Sequence, residues 1–289
     1  MIRTVGFYTA VVLGLVALLG ASGYIWLSNA NRSDLDDRWA AHDASSTEIV
    51  DHELWQGLLD DYLVTDTDSG VNLFDYAGLL DDDRQPLDDY LDVLLSEDPL
   101  KLNRLEQKAY WINLYNAATV RLIIDNYPLT TITKLGDSLT SFGPWDDSAV
   151  VVNDIDLSLN DIEHRIIRPL YNDYRIHFAV NCASIGCPNL APEAFTASEL
   201  DEQLDAASTE YLTHPRGLQF EGSTLNLSTL FEWYADDFGS NQSEVLATLG
   251  KHIDEETSQA LANFTGSPNY EYDWSLNGYC SVDDECGEY

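Results

Sequence analysis

Residues 103–126 constrain the fold more than any other stretch. Their interior, LEQKAYWINLYNAATVRLII, places apolar side chains on most faces of a helix, and Tyr127-Pro128 supplies a stop signal. A helix that is apolar nearly all round must be covered nearly all round, so other segments have to pack about it. Asn113 and Asn116 stand three residues apart and share a helix face. Once buried, their amides need partners: loop backbone, a catalytic group to be oriented, or a substrate carbonyl. Trp111 beside them is read first as core and second as a substrate contact.

The flanking segments carry shorter patterns. Apolar residues at helical spacing over 47–64 (Ile49, Leu54, Trp55, Leu58, Leu59, Tyr62) predict a helix, and so does 86–95. Asp66-Thr67-Asp68-Ser69-Gly70 begins like a calcium loop, but Gly70 holds the fifth position and Ala77 the twelfth, so a turn is predicted. Residues 149–152 read as a strand, turning at Asn153-Asp154. Ser158 with Asp161 forms an approximate capping box for a helix carrying Glu163, His164 and Arg168. Adjacent helix residues diverge, so one of Glu163 and His164 is expected inward and the other in solvent. Thr196 with Glu199 reads as a second capping box, residues 217–227 as a hairpin, and Ser228 as the cap of LFEWYADDFG. Two polar helices, about 243–251 and 255–264, follow. The expectation is one α+β domain over 47–289, with several helices around a small sheet, joined to the amino terminus by an acidic linker at 28–46.

Thr4 to Leu27 is a run of 24 residues without a charge. As a helix it is long enough for a hydrocarbon core of ~30 Å, and Arg3 before it predicts a cytoplasmic amino terminus with the domain outside. Residues 1–27 are therefore expected to be a single-pass membrane anchor, or a signal peptide whose cleavage would leave the domain secreted. The 14 basic and 50 acidic residues leave a net charge of −36. Such a charge argues against nucleic acid and anionic membrane surfaces as partners, leaving membrane contact to the amino-terminal helix. Acid spread along the whole chain suggests a high-salt environment, where repulsion is screened; an ordinary acidic secreted protein is the alternative.

The richest stretch in reactive side chains is RIHFAVNCASIGCPNL, 175–190. Ile176 to Val180 reads as a strand, bringing His177 and then Cys182 to the end of a sheet. The four cysteines fall in two close pairs, Cys182 with Cys187 and Cys280 with Cys286, which in an exported protein suggest disulfides. Cys182 also fits a free nucleophile, a buried inert thiol or a metal ligand. The spacings are too wide for an ordinary four-cysteine zinc site, and no metal or other cofactor is called for. A thiolate mechanism needs a base and a group to orient it. His177 or His164 could be the base, Glu163, Asn113 or Asn116 the orienting group, and Arg168 a substrate contact. Amides around Ala183-Ser184 could form an oxyanion hole if the turn opens a helix.

LFDYAGL (73–79), KAYWINLYNAATV (108–120), LSLNDIEHRIIR (157–168), the 175–190 stretch, LFEWYADDFG (230–239) and YDWSLN (272–277) together resemble the domain-of-unknown-function family 547. That family label implies no activity. The order of a long helix and then a histidine-bearing strand is similar, more distantly, to papain-like and transglutaminase-like thiol enzymes. The helix cysteine of those enzymes is absent, with Asn113 or Asn116 in its place, so the thiol would have to come from Cys182. Two function classes result. One is an exported thiol-dependent hydrolase or transferase acting on an amide or thioester bond of a small-molecule or peptide-like substrate. The other is a non-catalytic cell-envelope binding or structural module.

Overall fold

The 103–126 pattern becomes the central helix of a computed structural model that describes residues 34–136 and 143–279. The amino-terminal anchor or signal segment and the Cys280–Cys286 pair lie outside the described residues. Among the described residues no helix is long and apolar enough to cross a membrane.

Ten α-helices occur among the described residues: α1 (Glu53–Tyr62), α2 (Tyr76–Asp82), α3 (Gln85–Ser96), α4 (Arg104–Asn126), α5 (Arg168–Tyr171), α6 (Leu200–Thr213), α7 (Leu230–Trp233), α8 (Ala235–Phe238), α9 (Gln242–Leu249) and α10 (Glu255–Ala262). Helix α4 starts because the Asn103 side chain accepts from the Leu105 and Glu106 amides. Its residues from Glu106 through Val120 are all buried, as the near absence of a polar face requires.

The architecture is α+β, but the expected single small sheet is three separate ones. β1 (Leu63–Val64) pairs antiparallel with β2 (Leu73–Phe74), and β3 (Ser148–Val152) pairs antiparallel with β4 (Ile155–Ser158). In the third sheet, β6 (Thr224–Ser228) lies between antiparallel β5 (Leu218–Glu221) and parallel β7 (Asn269–Glu271). The β3–β4 turn is formed by Asn153 and Asp154, both at positive φ, a conformation these two residue types tolerate.

Two apolar cores result. The larger surrounds α4; the smaller gathers Phe178, Tyr211, Phe231, Phe238, Leu249 and neighbours from the carboxyl-terminal third. The segment Tyr174–Phe178 runs along their seam, with Ile176 and Ala179 in the larger core and Phe178 in the smaller.

This segment is a 3₁₀ turn and not the expected strand. Asp173 caps it, accepting from the Arg175 amide, and the Ile176 and Ala179 amides bond locally to Asp173 and Ile176 carbonyls. An apolar run buried on all sides has no period by which strand and helix can be told apart. Three further differences have local causes. The second capping box does not form, because Glu199 makes no side-chain cap and the Thr196 amide goes to Gln203 instead. The acidic stretch read as a linker is docked from Asp34 onward, with amides of Asp34 and Asp36 on the His164 and Arg165 carbonyls and Trp39 buried edge-on against Trp111. Ser158 and Asp161 do exchange hydrogen bonds, but the turns after them, Asp161–Ile167, form a π-helix.

Candidate functional site

The π-helix decides where Glu163 and His164 go. Its wide turn closes with the Arg168 amide on the Glu163 carbonyl, and such turns are frequent at functional sites. Both side chains end up buried, at 6% and 4% exposure, so the expected divergence into core and solvent does not occur. His164 Nδ1 lies 3.7 Å from Glu163 Oε1, and His177 Nδ1, arriving from the seam, lies 3.8 Å from the same oxygen. Tyr115 from α4 and Tyr234 from the α7–α8 corner lie near enough to Glu163 that, after burial, its charge raises both phenols. One carboxylate is thus ringed by two imidazoles and two phenols.

A second carboxylate closes the cluster. Asp237 Oδ2 receives Arg168 Nε at 2.6 Å and meets His177 Nε2 at 2.7 Å. Burial pushes the Asp237 carboxyl up, but hydrogen bonds from His177 and Arg168 outweigh it and hold the group well below the usual range. Burial pushes His164 down to about 4, with Glu163 opposing and Arg168 assisting, so this ring is neutral at pH 7. Its Nδ1 faces Arg168 Nη1 at 3.2 Å; since arginine only donates, His164 accepts there. His177 stacks on Tyr234 with ring centres 4.2 Å apart, and the Arg168 guanidinium also lies over the Tyr234 ring, 4.8 Å from its centroid.

The cysteine turn adjoins this cluster through Tyr272. Cys182 Sγ lies 3.0 Å from Tyr272 Oη and 3.1 Å from Ser184 Oγ, and those two hydroxyls are 3.1 Å apart. Glu163 is close enough to Tyr272 to help burial raise its phenol. Cys182 is bonded to Cys187 in a disulfide, so this turn carries no free thiol. The loop is held on all sides. Asn116 accepts from the Asn181 amide at 2.8 Å and donates to the Ala179 carbonyl at 2.9 Å. Asn181 accepts from the Ala183 amide at 2.8 Å, while Ile185 and Gly186 amides bond to the Ser275 and Asp273 carbonyls. Ala183 sits at φ 57°, a strained position for a residue with a Cβ.

Several candidates read from the sequence therefore meet and others do not. Glu163, His164, Arg168 and His177 form one cluster, with Cys182 joined to it through Tyr272 and Asn116 one layer behind. Asn113 is elsewhere, clamping the Phe195 amide and carbonyl at 3.0 and 2.8 Å. Trp111 is fully buried core. The oxyanion hole expected at Ala183-Ser184 is not formed, because the turn opens no helix and the Ala183 amide is engaged by Asn181. Asp237, Tyr115, Tyr234 and Tyr272 were not singled out by sequence reasoning, and Ser184 was read for its backbone amide and not for its hydroxyl. The signal that could have found three of them was the chemistry inside the 230–239 and 272–277 stretches.

Residues 99–212 match the family described as Protein of unknown function, DUF547. This DUF547 region contains α4, the π-helix, the seam and the cysteine turn. Tyr234, Asp237 and Tyr272 come from beyond it, so the charged cluster is completed by parts of the chain outside the match. No curated protein and no solved structure matches the chain.

Proposed function

We propose that this chain is a thiol-dependent hydrolase or transferase acting on an amide or thioester bond, latent while Cys182 is bonded to Cys187. The observation that carries the reading is the placement of Cys182 Sγ within reach of two hydroxyls, beside a buried cluster far more charged than packing needs. An external thiol reductant supplies two electrons and two protons to open the disulfide and is itself oxidised. The His177–Asp237 pair takes the Cys182 thiol proton, and the Ser184 and Tyr272 hydroxyls donate to the thiolate that is left. Attack on the substrate carbonyl forms a C–S bond and expels the amine or thiol, which takes its proton from the His177–Asp237 pair. Water or an acceptor nucleophile releases the acyl group. Glu163, His164 and Arg168 set the field around His177.

The same reading places the domain outside the cytoplasm, where such a disulfide persists, delivered by residues 1–27 as an anchor or a cleaved signal. The substrate is small or peptide-like, and the acidic surface suits high salt.

The disulfide favours a second reading, a non-catalytic envelope module in which the cluster only joins the two cores. One experiment separates them. After mild reduction, the rate of iodoacetamide alkylation at Cys182 is followed against pH by peptide mapping. The enzyme reading expects a plateau reached below the ordinary thiol value of ~8.5, displaced upward in His177→Asn and kept in Cys187→Ser. A Cys182 that stays unreactive after reduction, with Cys182→Ser and Cys187→Ser both losing stability, leaves the envelope module.

A further inference from the structure

A buried carboxylate lies apart from the Glu163 cluster. Glu106, in the first turn of α4, is 3% exposed. Its Oε1 accepts the Val50 amide at 2.8 Å, and Oε2 has no partner among the described residues. Glu106 lines a half-open pocket of about 380 Å³ bounded by residues 46–50 and 196–198, with Asn103 and His52. Oε2 is not among the fully buried polar atoms that lack a partner, so it opens on the pocket and is the oxygen a ligand donor would reach.

The surroundings say which donor. No lysine or arginine lines the pocket, and its second carboxylate, Glu48, is exposed. His52 supplies no positive charge at pH 7: burial pushes its imidazole down to about 4, and its nitrogens are occupied by Tyr90 at 2.7 Å and Asn113 at 3.3 Å. Burial likewise pushes the Glu106 carboxyl up, against the Val50 hydrogen bond. The walls are apolar where Ile49, 83% exposed, and Ala197 face the space. An inorganic cation wants several oxygens, and among the described residues no group of three or more His, Cys, Asp or Glu is disposed to hold a metal.

We propose that this pocket binds an organic ammonium ion, a primary amine on a short apolar body, with N–H donors on Glu106 Oε2 and its chain against Ile49 and Ala197. A net charge of −36 concentrates such cations around the molecule. The site is independent of the thiol chemistry and stands whether or not the domain is an enzyme.

The test is calorimetric titration of the full chain with n-pentylammonium chloride at constant total salt, with sodium pentanoate as the control. Saturable one-site binding of the amine and none of the carboxylate is expected. Glu106→Gln retains an oxygen for the Val50 amide and should weaken binding about tenfold or more, the scale of a hydrogen bond to a charged group. Ala197→Phe fills the pocket without touching Glu106 and should abolish binding; thermal midpoints report that both variants fold. Amine binding unchanged in Glu106→Gln or in Ala197→Phe overturns the proposal. So does a wild-type chain that shows no saturable heat, that takes pentanoate equally, or that releases the amine to an equal concentration of sodium chloride.

Discussion

Two buried histidines, His52 and His177, have opposite surroundings. His52 is matched by neutral groups, the Tyr90 hydroxyl and the Asn113 amide, and links the start of α1 to α3 and α4. His177 lies between two carboxylates, Glu163 and Asp237, with Arg168 bonded to the second. A neutral network is what burying a polar group requires. A charged one is seldom the most stable choice, since apolar replacements of buried ion networks are often neutral or stabilising. The first arrangement needs no explanation beyond packing, whereas the second does, and this contrast locates the candidate chemistry at the seam.

Acid should strain both regions at once and is the largest effect expected. His52 and His164 are held at about 4, against an ordinary 6.5, chiefly by burial. Between those values the unfolded chain binds protons that the folded chain does not. Stability should be full above pH 6.5 and fall as pH drops toward 4, by on the order of 1 kcal/mol per pH unit for each histidine. Below 3.8, where the unfolded Asp237 carboxyl takes up a proton first, the depressed Asp237 adds to the loss. Urea midpoints measured across this range should show the slope, and His52→Gln should remove roughly half of it. A flat profile above pH 4.5 (about two units below the ordinary histidine value) would mean that these rings are hydrated.

Asp237→Ala should come next. It leaves Arg168 and His177 without their shared acceptor and should cost about 3 kcal/mol, as for breaking a buried pair. Asp237→Asn, which keeps one oxygen, should cost less. Equal stability of Asp237→Ala and wild type in urea would show the cluster to be solvated and erase the contrast. His52→Leu should cost about 1–3 kcal/mol, because Tyr90 and Asn113 lose their partner, yet leave the alkylation profile of reduced Cys182 unchanged. A shift in that profile would join the two regions. Salt gives the smallest and most diffuse effect. Raising potassium chloride from about 0.1 to 2 M shortens the Debye length from ~10 Å to below ~3 Å, so the thermal midpoint should rise through relief of surface repulsion. The Asp237→Ala penalty should stay nearly constant, since buried pairs are screened little.

How much was legible in advance follows from the range of the interactions. The 103–126 run, its Asn103 start and its Tyr127-Pro128 stop act within a few residues, so the central helix was readable to within one residue at its start. The β3–β4 and β5–β6 hairpins were readable for the same reason, since Asn153-Asp154 and Gly222 sit at their turns. Side-chain type alone marked Glu163, His164, Arg168, His177 and Cys182 as reactive.

What only the tertiary structure decided was which of these groups meet and in what state. Whether residues 174–178 are strand or 3₁₀ turn depended on a neighbour for pairing, and the neighbours are two cores instead of a sheet. The π-helix turned Glu163 and His164 to one side, an outcome that the α-helical period does not produce. Asp237, 60 residues from His177, has no local pattern that reveals its partner. The sequence by itself determined the central helix, its flanking caps and turns and the inventory of reactive groups, because those depend on local sterics and hydrogen bonding. The pairings that give these groups their charge state and their chemistry arise from long-range packing across the seam, and no local rule carries that information.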